Sequence, residues 1–232
     1  MARLIVHVEG VTEEEFVNAL LAPHLLAHGW ESFVAYRMGR ARSRERRHGV
    51  KGWDVALDGI LRHLRSDSVC CVTTLVDYYG LPMTGVRAWP GRADAEAQPL
   101  VVRGRSVQQA LSGHVAQATA GTALARRFIP FVVMHEFEGL LFSDCGRFAQ
   151  AIGRPDLGGR LQTIRDGFST PEEINDSPIA APSKRVTALV PDYDKAVMGV
   201  LAALAIGLDA IRAECTHFRQ WLEYLETWPR PH

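Results

Sequence analysis

Glu9, Asp77 and Glu136 occupy the same place in the pattern of the sequence. Each follows, directly or almost directly, a run of apolar residues that reads as a buried strand. In an open parallel sheet the carboxyl ends of the strands lie along one edge, which is where ligands bind. Three carboxylates converging there repel one another. A hard divalent cation is the usual way to hold them together, and Mg2+ suits oxygen ligands of this kind. Plainer readings stand beside this one. Glu13, Glu14 and Glu15 also suit the positive end of the first helix, an isolated Asp77 also suits a turn cap, and Glu138 also suits the solvent side of a helix start. The weight rests on the joint pattern.

Two basic features could meet phosphate. Ser183-Lys184-Arg185 follows Pro182 and opens a helix, where lysine, arginine and free amides suit an anion; a solvated helix end is the alternative. The stretch Arg37–Lys51 holds seven Arg or Lys residues against one acid, Glu45, in a chain whose net charge is 0, leaving the remainder at −6. With no basic field over the whole molecule, nucleic acid would be held by this local patch. Other chemistries find little support. His24 and His28 have zinc-like spacing without a Glu-x-x-His context. Phosphate loops with Lys-Ser or Lys-Thr are absent, so ATP hydrolysis by this chain is not expected, and no Gly-x-Ser-x-Gly elbow occurs. Asp192-Tyr193-Asp194 follows Pro191 rather than a strand, and reads as an N-cap with a first-turn acid.

The elements that would position these groups are legible as alternating patterns. Leu4–Val8 and Val69–Val76 read as apolar strands of a sheet buried on both faces. Ser32–Tyr36 is a second strand. Phe128–Met134 is another, limited in pairing by Pro130. Thr12 with Glu15 reads as a capping box opening the first helix, which Pro23 breaks or kinks. A helix is expected over about Asp54–Arg65, a long irregular loop over Tyr78–Arg105, and a helix through Val107–Ala118. The last third reads as helical. The expected fold class is therefore α/β, a mostly parallel sheet flanked by helices, in one domain over 1–232, with a sheet-bearing core at 1–145 and a mainly helical extension at 146–232.

Length and composition suit a single globular core: 232 residues, 47% apolar and 22% charged. Cys70, Cys71, Cys145 and Cys215 form no Cys-x-x-Cys pair and read as buried thiols in a reducing compartment. The apolar run Leu4–Val8 is too short for a signal peptide, and the stretch near Val197–Leu208, with two glycines, falls short of a membrane span. Cytoplasmic residence, with no membrane contact, is the default expectation.

Several segments resemble a bacterial family of unknown function, domain of unknown function 4276. They are Val8-Glu9-Gly10-Val11-Thr12-Glu13-Glu14, Val76-Asp77-Tyr78-Tyr79-Gly80-Leu81-Pro82, His135-Glu136-Phe137-Glu138-Gly139-Leu140-Leu141-Phe142-Ser143-Asp144, Asn175-Asp176-Ser177-Pro178, Ala181-Pro182-Ser183-Lys184-Arg185 and Tyr193-Asp194-Lys195. That family looks like a relative of the TOPRIM fold, the metal-binding module of topoisomerases, primases and overcoming-lysogenization-defect nucleases. The resemblance implies Mg2+ or Mn2+ held by Glu9 and Asp77. Glu9 and Glu13 reproduce the Glu-Gly-x-x-Glu opening of the nuclease branch, and Glu136, Glu138 and Lys184 match its later glutamates and lysine. The TOPRIM pattern has a second aspartate where this chain has Tyr79, so one metal position is weakened or rebuilt from Glu136 or Glu138. Relatives of this kind often sit beside ATPases in anti-phage defence operons, which implies a neighbouring ATPase subunit as partner.

The reading that follows is a divalent-metal-dependent nuclease acting on DNA or RNA. Glu9, Asp77, Glu136 and Glu138 would hold the metal, Glu13 would be the general base, and Lys184 would steady phosphoryl charge. The alternative is a non-catalytic interaction module partnering an ATPase. Oligomeric state is not legible.

Overall fold

β1, Arg3–Val8, is buried from Leu4 to Val8, as its unbroken apolar run requires of a strand with neighbours on both sides. The computed structural model describes residues 2–38, 51–174 and 180–228. The Arg37–Lys51 basic stretch, over 39–50, and the Asn175–Pro178 segment lie outside them. β1 pairs in parallel with β2, Ser32–Arg37, and with β3, Cys70–Asp77. β3 is buried at all eight residues. β4, Phe128–Ile129, pairs with β3 in parallel, and β5, Val132–Val133, also pairs with β3. The order β2-β1-β3-β4, with helices in the crossovers, makes the mostly parallel, helix-flanked sheet that the alternation of patterns predicts.

The strand expected at Phe128–Met134 is divided at Pro130. Proline has no N–H for the ladder, and two threonines of β3 supply what it cannot. Thr73 Oγ1 donates to the Ile129 carbonyl at 2.5 Å. Thr74 Oγ1 donates to the Phe131 carbonyl at 2.7 Å and accepts from the Phe131 amide at 2.9 Å.

The first helix is three segments in series: α1 at Val11–Phe16, a π-helical stretch at Val17–Leu21, and α2 at Ala22–Ala27. Pro23 explains the wide turn. It cannot donate to the carbonyl one α-turn back, and its ring would crowd that carbonyl. The Ala22 amide bonds instead to the Val17 carbonyl. Helix α1 begins at Val11, earlier than a Thr12 cap would allow. The capping bond runs from the Gly10 amide to Glu13 Oε2, 2.9 Å, rather than through Thr12 and Glu15.

After β2 comes α3, Trp53–Ser66. The segment read as a long irregular loop after β3 is more ordered than that: it holds the short α4, Arg92–Ala95, and α5 starts at Leu100 and runs to Ala118. Burying Trp89 and fixing its indole N–H on the Lys51 carbonyl at 2.9 Å orders what turn residues alone would leave loose.

The chain divides into two compact units. Among the described residues, one comprises 2–14, 26–38 and 51–132; the other comprises 15–25, 133–174 and 180–228. In the second, α6 (Phe137–Leu141), α7 (Cys145–Ala151), α8 (Gly158–Arg165), α9 (Pro182–Leu189), α10 (Val200–Glu214) and α11 (Thr216–Glu226) form the helical C-terminal part. Its core includes Phe16 edge-on to Phe137 at 5.3 Å and to Phe218 at 6.2 Å. Gly139 lets α6 pack closely, since a Cβ there would sit tightly against the carbonyls of Met134 at 3.3 Å and Pro171 at 3.4 Å. Lys195–Glu214, twenty residues holding an 18-residue window of mean hydropathy 1.8, is long and apolar enough to cross a membrane by length and composition alone, more than the Val197–Leu208 stretch suggests. Gly207, at φ 79° and ψ 159°, interrupts its helical path. All four cysteines are free and buried.

Candidate functional site

In the first unit, parallel register decides where the acids emerge. Val8 lies opposite Leu75 on one side and Arg37 on the other. Glu9 is one residue beyond Val8, and Asp77 closes β3 two residues beyond Leu75. Both therefore leave the sheet at the carboxyl edge of adjacent strands, roughly 5–7 Å apart at the backbone on ordinary strand spacing. Asp77 is 7% exposed and Glu9 is half-buried. Glu13 is buried, with Oε2 on the Gly10 amide, and a side chain on residue 10 would press on that oxygen at 3.1 Å. Glu14 is 2.7 Å from Arg37 Nε, so the first arginine of the basic stretch pairs with an acid of α1.

The residues after Asp77 are clamped. Arg92, 3% exposed, donates from Nε to the Tyr78 carbonyl at 2.8 Å and lies 3.8 Å over the Tyr78 ring. Its guanidinium also bonds Glu96, which accepts from the Tyr78 hydroxyl at 3.1 Å. Burial pushes the Tyr78 phenol up to about 12, keeping it a donor. Burial pushes the Glu96 carboxyl up more than any other single effect, but Arg92, the Tyr78 hydroxyl and Arg103 together outweigh it and hold the group below the usual range. Tyr79, standing where a second aspartate is expected, is half-buried. Sequence reasoning missed Arg92, whose burial depends on a ring and a carbonyl fourteen residues away.

In the second unit, Glu136 and Glu138 sit at the start of α6. Glu136 Oε2 accepts from the Ser183 amide at 2.9 Å, at the beginning of α9. Glu138 is fully buried, and Lys195 Nζ lies 3.2 Å from its Oε2. Burial raises the Glu138 carboxyl, Lys195 lowers it, and Glu136 raises it further. Tyr193 shares this charge: burial is the main reason its phenol lies far above the ordinary value, with Glu138 adding to the push. Lys184, the lysine assigned from sequence, is exposed on α9. Among the described residues, the lysine that meets a carboxylate is Lys195, in the Tyr193-Asp194-Lys195 segment. Its neighbour Asp194 caps the helix, so the cap expected within Asp192-Tyr193-Asp194 falls on the second aspartate, which accepts from the Ala196 and Val197 amides at 2.9 and 3.2 Å. His24 Nε2 is 2.6 Å from Glu226, which also takes both Arg212 amino groups, so this histidine serves an ion-pair cluster.

Carboxylate oxygens are the donors a hard cation takes. Apart from the Lys195 ammonium, neither buried Glu138 oxygen has a hydrogen bond of good geometry, and a shielded carboxylate in that state favours a positive partner. Glu136 and Glu138 could hold such an ion in their unit, and Glu9 and Asp77 in theirs.

The fold and these side chains define a helix-flanked, mostly parallel α/β protein with carboxylates at its strand ends. Residues 8–226 match the family model described as Domain of unknown function (DUF4276), and the chain belongs to that family. No curated protein matches, and no solved structure matches.

Proposed function

We propose that the chain is a divalent-metal-dependent phosphodiesterase acting on nucleic acid. The observation that carries the reading is the parallel register that brings Glu9 and Asp77 to one edge of adjacent strands. Glu9 and Asp77 would hold Mg2+ or Mn2+ there, and the ion would supply Lewis acidity toward a phosphoryl oxygen and toward water. Glu13, buried beside the same strand end, accepts the proton of the attacking water, and its bond to the Gly10 amide fixes its direction. Glu136 and Glu138 are carboxylates of the same chemistry in the second unit. Lys184, exposed at the start of α9, and the basic stretch from Arg37 to Lys51 meet phosphate charge. A neighbouring ATPase subunit in an anti-phage system is the proposed context, by resemblance of family alone.

The test is cleavage of DNA and RNA with Mg2+ or Mn2+, comparing the natural chain with Glu9→Gln and Asp77→Asn. Loss of cleavage by about a hundredfold or more in both variants is expected; equal activity rejects the assigned ligands. A second reading, a non-catalytic module partnering an ATPase, is favoured by Tyr79 in place of a second aspartate and by Lys195 already balancing Glu138. Calorimetry separates the two, since absence of Mg2+ and Mn2+ binding near neutral pH supports the module.

A further inference from the structure

Lys195 stands in an unfavourable place for a lysine. It is the first residue of the π-helical stretch Lys195–Gly199 that leads into α10. The positive end of a helix disfavours an ammonium, and Asp194 already satisfies the first amides. What compensates is Glu138, which is 0% exposed and has Lys195 Nζ at 3.2 Å. Glu136 adds a second negative charge close enough to bear on Glu138. The Tyr193 hydroxyl, buried and without a hydrogen bond among the described residues, is one more oxygen nearby. Two carboxylates thus act on one another, and one of them meets an ammonium. A dication would balance both, and at a separation of a few ångströms it would repel the ammonium.

We infer that Lys195 is a resident counter-ion of Glu138 that a divalent cation displaces, so that loading the carboxylates releases an ammonium able to meet phosphate. The inference rests on reading Glu136 and Glu138 as cation ligands. Lys195 has a way out, because its side chain is 37% exposed while that of Glu138 is 0% exposed. Displacement therefore starts from a lysine that already reaches solvent. It also couples two events: the lysine becomes available to an anionic substrate only once the cation is in place.

The experiment is brief acetylation of the full chain with an amine-reactive ester, with and without Mn2+, and quantification of Lys195 by mass spectrometry against Lys184. Mn2+ binding is measured in parallel by calorimetry. Lys195 labelling is expected to rise severalfold with Mn2+, while Lys184 stays level. Glu138→Gln should label Lys195 at the high rate without Mn2+ and show no further response; should that variant not fold, the comparison on the natural chain decides alone. Mn2+ binding with unchanged or reduced Lys195 labelling overturns the inference and leaves the phosphodiesterase reading standing. No Mn2+ binding at all overturns both.

Discussion

His7 Nε2 lies 3.0 Å from His63 Nδ1, joining the middle of the sheet to α3 through two imidazoles, with Tyr36 against both rings. His7 is fully buried. Burial first, and the His63 charge second, bring its pKa from 6.5 down to about 3. Burial and Arg62 lower His63 as well. The unfolded chain therefore binds a proton at His7 that the folded chain refuses between pH 6.5 and about 3. Stability falls as pH drops through that window, by up to about 1.4 kcal/mol per unit. Urea unfolding in metal-free buffer at pH 6.5 and 4.5 checks this. His7→Leu should lose less stability between the two values than the natural chain, by up to about 2–3 kcal/mol. Equal losses would mean that His7 takes a proton without unfolding.

Thr74→Val should destabilise the chain by about 1–3 kcal/mol. It removes the hydroxyl that serves both the Phe131 amide and the Phe131 carbonyl, and leaves them buried without that partner. Thr74→Ser keeps the hydroxyl and should recover most of the loss. Denaturant midpoints of the two variants are the measurement.

The sheet was legible because strands buried on both faces read as continuous apolar runs, and Leu4–Val8 and Cys70–Val76 are such runs. Pro130 announced a limit to pairing, but not that threonines of β3 would stand in for the ladder. Placing Glu9 and Asp77 after these strands needed only periodicity and the parallel-sheet rule. The Glu138–Lys195 pair was not legible. Lys184 and Lys195 look equally suited as text, and only packing turns one outward and the other onto a carboxylate. Glu13 taking the capping bond was hidden for a smaller reason: the helix starts at Val11, which shifts the reciprocal glutamate back from Glu15.

Arg92→Lys should weaken Mn2+ affinity more than it lowers global stability. A lysine keeps the charge but loses the fork that holds the Tyr78 carbonyl and Glu96 together, directly after Asp77. Calorimetry beside thermal melts separates the two effects; a large drop in melting temperature with unchanged Mn2+ affinity would make Arg92 purely structural.

Glu172→Ala should cost about 1–2 kcal/mol. The Glu172 carboxylate accepts from the His217 and Phe218 amides, both at 2.8 Å, and so closes the first turn of α11. Glu172→Gln, which keeps one acceptor oxygen, should cost less. Amide exchange at His217 and Phe218 reads the effect directly.

Glu9 and Asp77, in the proposed function, share a cation at the sheet edge. Diffraction from crystals soaked in Mn2+, recorded for anomalous signal, tests it most directly. A peak within about 2.5 Å of carboxylate oxygens of both residues is expected. Soaked crystals with no peak there, or with an arginine or lysine between the two carboxylates, would contradict it.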